Sequence, residues 1–135
     1  MSPTLTRILL SLSAAVLAAL GLSASFLPRE LLTWLGAPAS PVLAVLVQVL
    51  GAALLGHAIL DWMSRHAAIG GIYGRPLVLA NLLHFGSGAL ALLKMLQRAP
   101  ASRVLWPLAL VYALLALGYL VAYFREPARA ASPQP

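Results

Sequence analysis

The chain has 135 residues, 61% hydrophobic and 9% charged, with a net charge of +6, no cysteine and a mean hydropathy of +0.92. A soluble domain of that size cannot hide so much apolar surface in one core, whereas a bilayer solvates it directly and asks only that the backbone be bonded internally. The lack of cysteine excludes a disulfide framework, a thiol redox relay, a thiolate metal site and a cysteine nucleophile.

Cut at its charged, Pro and Gly clusters, the chain falls into four apolar segments, roughly Leu5 to Leu27, Val42 to Met63, Leu77 to Leu96 and Val104 to Phe124. Each is about 20 residues or slightly more, which at ~1.5 Å per residue crosses a hydrocarbon core of ~30 Å once as a helix. Unbroken apolar runs exclude a strand barrel, whose strands alternate. The expected fold class is all-α, a polytopic membrane protein with four transmembrane helices in an antiparallel bundle over residues 1–125.

The first segment imitates a secretory signal, with Arg7 ahead of an apolar run and Ser23, Ala24 and Ser25 near its end. The run continues through Phe26 and Leu27, longer than a signal core, so a retained span is expected. Next, Pro28 to Pro41 holds Leu31, Leu32, Trp34 and Leu35, a short interfacial helix that Gly36 and Pro38 should end. Ser64 to Pro76 is the most irregular stretch, with Arg65, His66, Gly70, Gly71, Tyr73, Gly74 and Arg75. Its glycines lack the Lys-Ser/Thr ending of a nucleotide loop and read as a reversing turn or as a backbone nest for a lipid phosphate. Gln97 to Arg103 is a short turn, and residues 126–135, rich in Ala, Pro and Ser, are expected to be disordered.

The basic residues mostly flank apolar runs, which points to membrane lipids as partners and away from nucleic acid. Five of them (Arg7, Arg65, Arg75, Arg125, Arg129) fall on the side of both termini and four (Arg29, Lys94, Arg98, Arg103) on the other, a bias toward cytoplasmic termini. Trp34 and Trp106 mark one interface, and Trp62, Tyr73 and Tyr123 the other. Small residues four apart, Ser11, Ala15 and Ala19, Ala52 and Gly56, Ala109 and Ala113, are expected to pack helices within the chain or against a second copy or a partner membrane protein.

The polar residues within the spans carry the functional reading. His57, Asp61 and Arg65 recur every four residues on the second span, and Asn81 and His84 share a face of the third with Gly88. Counted inward from the loop between them, His57 lies about 9 Å deep and His84 about 12 Å. A central Asp costs about 2.5 to 3.5 kcal/mol even on lenient insertion scales; Asp61 lies nearer the interface and costs less, and if it turns inward its partners are His57, Arg65 or, from the facing helix, Asn81. Gln48 lies on the opposite side of its span from His57 and belongs to another contact.

Three readings stay open. One is an interhelical hydrogen-bond lock. The second is a ligand-binding or proton-handling site of His57, Asp61, Asn81 and His84 between the second and third spans, with Arg65 and Arg75 on lipid headgroups. The third is a haem held by His57 and His84, with Gly56 and Gly88 making room for the macrocycle. Zinc is poorly served by two His and one Asp. Tyr112, Tyr119 and Tyr123 share a face of the last span and serve interface anchoring or interhelical hydrogen bonding. No catalytic residue set is read from the sequence.

Four short spans, with Gly70-Gly71-Ile72-Tyr73-Gly74-Arg75-Pro76 leading into Asn81 and His84, resemble the small, largely uncharacterised four-helix bacterial membrane proteins described as DoxX-like. The resemblance implies a bacterial inner-membrane location and a four-helix bundle, and carries no activity to named residues.

Overall fold

A computed structural model describes residues 3–66, 74–98 and 105–125. It is all-α, with α1 (Pro3–Phe26), α2 (Pro28–Trp34), α3 (Pro41–Ser64), α4 (Gly74–Arg98) and α5 (Trp106–Arg125). The four long helices are each long and apolar enough to cross a membrane, and the chain is a small multi-pass integral membrane protein. Residues 67–73 of the Gly-rich loop, 99–104 of the third turn and the 126–135 tail lie outside the described residues.

Local chemistry accounts for the helix ends. The expected short interfacial helix is α2, and it stops in a Schellman turn: Gly36 takes φ +71°, its N–H bonds the Thr33 carbonyl, and the Ala37 N–H bonds that of Leu32. Ser40 then caps α3 by accepting from the Leu43 N–H at 3.3 Å, with Pro41 preset for the first turn. The third span begins earlier than hydropathy predicts. Gly74, Arg75 and Pro76 are its first turn, where a proline's missing N–H costs nothing.

The chain divides into two compact units, Leu10–Arg65 and Met1–Leu9 with His66–Pro135. In Leu10–Arg65, α1 and α3 run antiparallel and touch backbone to backbone. A Cβ on Gly21 would stand 2.8 Å from Leu55 Cγ and 3.0 Å from the Gly51 carbonyl oxygen; one on Gly51 would stand 2.6 Å from the Ser25 amide nitrogen. Only glycine allows that approach, which is how helices associate where lipid removes the hydrophobic drive. The expected Ala52 and Gly56 pair does not pack: Ala52 is exposed, and nothing lies within 4 Å of a Cβ on Gly56. Ala52 sits about 100° and Gly56 about 140° around the helix from the residue that does the packing, Gly51.

In the other unit, α4 and α5 are also antiparallel. Leu92 and Leu96 meet Leu105, Leu108 and Ala109, and further along Phe85 meets Tyr112 and Tyr119. Ala109, Tyr112, Leu115, Tyr119 and Ala122 form the buried face of α5, while Leu110, Leu114 and Leu117 are exposed, the side that suits acyl chains. Ala109 thus packs as its spacing predicts, with Ala113 half-buried, whereas Ala15 and Ala19 of the expected α1 stripe are exposed.

Candidate functional site

The polar residues of the spans fall into two groups, one in each unit. On α3, Asp61 is fully buried and its Oδ1 lies 4.0 Å from Nε2 of His57, one helical turn earlier. That separation is a charge-pairing distance when the imidazole carries a proton, and is too long for a hydrogen bond. The His57 side chain keeps 19% of its surface exposed, so the pair joins an enclosed carboxyl to an imidazole that reaches the outside of its unit. Ser13 of α1 is buried as well, a second polar group of this unit that sequence reading missed.

Arg65 leaves the stripe it was expected to share with Asp61. Its guanidinium donates to the Trp62 carbonyl and stacks 3.7 Å from the centroid of the Trp62 ring. The reason is position: Arg65 is the C-cap of α3, where a cation meets unsatisfied carbonyls and an interfacial indole. Gln48 serves another contact, as its place on the helix predicts, donating to the Ser25 carbonyl at 3.4 Å.

On α4, Asn81 is fully buried and its Nδ2 donates to the Leu77 carbonyl one turn back. His84 Nε2 and the Tyr112 hydroxyl share a long hydrogen bond of 3.4 Å across to α5. The Tyr112 ring takes the place that a side chain at Gly88 would fill, because a Cβ there would stand 2.6 Å from the ring carbons. Gly88 therefore seats an aromatic ring, and Gly56 faces open space. Phe85 completes the cluster, edge-on to Tyr112 at 5.1 Å and parallel to Tyr119 at 6.0 Å. Arg75 lies 5.4 Å from the centroid of the Tyr123 ring, so both arginines assigned to headgroups stack on an aromatic ring of their own unit.

Tyr112 is the partner that sequence reading did not assign to His84. The signal was present: Gly88 lies one turn after His84 on the same face, and a glycine in a helix interior costs about 1 kcal/mol relative to Ala unless something packs there. Among the described residues, no three His, Asp or Glu side chains gather as a metal site would require.

No protein-family model matches the chain, and neither a curated protein nor a solved structure matches it.

Proposed function

We propose that this multi-pass membrane protein is a small ligand-binding or accessory subunit of a bacterial inner membrane, and that Asp61 and His57 are its working pair. The observation that carries the reading is the complete burial of Asp61 in an apolar span, with an imidazole at 4.0 Å. Helix packing in lipid needs no carboxyl, and an apolar side chain of similar volume would avoid the desolvation cost. A carboxyl beside an imidazole has uses that packing does not: it accepts hydrogen bonds from a polar ligand, and the two groups exchange a proton. His84, tied to Tyr112, acts in this reading as an interhelical lock with Asn81 one turn away. Arg65 and Arg75 hold lipid headgroups with the guanidinium edges that their stacking on Trp62 and Tyr123 leaves open.

The inner-membrane location follows the DoxX-like resemblance, and cytoplasmic termini follow the five basic residues against four. Native mass spectrometry of protein extracted from its own membranes in mild detergent tests the working pair. The wild-type chain is expected to carry a small molecule or a partner subunit whose occupancy falls about tenfold or more in Asp61→Asn, the scale of a lost hydrogen bond to a charged group. Equal occupancy in both proteins, at equal helicity, contradicts the reading.

A further inference from the structure

From their crossing at Gly21 and Gly51 toward the Trp62 end, α1 and α3 leave between them a groove of about 360 Å³. Ala14, Ala15 and Ala18 line it from α1, and Leu55, Ile59 and Trp62 from α3. Ala15, Ile59 and Trp62 are exposed, so the groove opens along its side. Its lining is hydrocarbon apart from the indole N–H, and at the Trp62 end stands a cation, the Arg65 guanidinium stacked on the ring. One Arg65 N–H donates to the Trp62 carbonyl, and a guanidinium has five. The carboxylates of this unit are Asp61, which is fully buried, and Glu30, which follows the opposite end of α1. Arg65 therefore faces an end of the unit that offers it no exposed anion.

We propose that this groove binds one acyl chain of an anionic phospholipid, with the lipid phosphate on Arg65. The order of chemistry along the groove selects that occupant: hydrocarbon, then an interfacial ring, then a cation is the order of chemistry along such a lipid. The proposal rests on the reading of Arg65 as a headgroup contact and not on the Asp61 and His57 pair, which the occupancy of Asp61→Asn tests on its own.

The test uses the full chain with Trp34→Phe and Trp106→Phe, which leaves Trp62 as the sole indole. The protein is reconstituted in phosphatidylcholine vesicles carrying a fraction of either phosphatidylglycerol or phosphatidylcholine brominated in the middle of its acyl chains. Trp62 fluorescence is expected to report selection of the brominated phosphatidylglycerol by about fivefold, the contribution of one arginine near a membrane surface. Arg65→Gln should bring that ratio to about one, and Ala15→Leu, which fills the open side of the groove, should remove the selection with Arg65 intact. Circular dichroism and elution volume check that both variants fold. Equal quenching by the two lipids in the parent protein overturns the proposal, as does selection that survives both substitutions. Rapid, near-complete disulfide dimers of Ala15→Cys in the same vesicles also overturn it, by seating a second copy in the groove.

Discussion

In α1 and α3 the helices meet backbone on backbone at Gly21 and Gly51, whereas α4 and α5 meet through rings, with Tyr112 seated on Gly88 and Phe85 between Tyr112 and Tyr119. Lipid is as apolar as leucine, so both pairs must associate through close contact and hydrogen bonds. They divide the work differently. The aromatic pair fills its space with side chains and adds a polar link from His84 to Tyr112. The glycine pair meets backbone to backbone at its crossing, opens into a groove toward Trp62, and carries a buried carboxyl on α3. Under the function proposed above, α4 and α5 are the scaffold, and α1 and α3 carry the binding chemistry.

Substitutions on the two sides break or sharpen that contrast. Phe85→Ala should have the largest effect, because a fully buried ring leaves a cavity that neighbouring rings cannot close: about 3 to 5 kcal/mol in reversible unfolding from mixed micelles. Gly51→Val should follow at about 2 to 3 kcal/mol, since the obstacle is the Ser25 backbone and not a movable side chain. An unaffected Gly51→Val protein would erase the distinction between the two pairs. Tyr112→Phe keeps the ring on Gly88 and loses only the hydroxyl, so a cost of about 0.6 kcal/mol is expected, the usual size of an interhelical hydrogen bond in a membrane.

The helices were legible because each needs only length, apolar content and terminal chemistry. Gly36 announced its turn in advance, and Gln48 was correctly set apart from His57 by helical phase alone. The faces that pack were harder to read. In a span apolar all round, periodicity does not say which small residue meets a partner, so Ala52 and Gly56 looked as good as Gly21 and Gly51. Arg65 shared a stripe with Asp61 by spacing, yet a long side chain at a helix end has an indole and a carbonyl within reach, and those contacts won. By sequence Asp61 lies nearer the interface, and the structure buries it fully; Tyr112 lies on another helix than His84, so only Gly88, one turn after His84, pointed to that partnership.

The most direct test of the central claim, that Asp61 serves binding and not packing, is the unfolding free energy of Asp61→Asn beside wild type in the same micelles. Asparagine keeps the shape and most hydrogen-bonding capacity of the carboxyl, so stability within about 0.5 kcal/mol of wild type is the expected result. A loss of about 2 kcal/mol or more would contradict the account and make the buried carboxyl a structural lock.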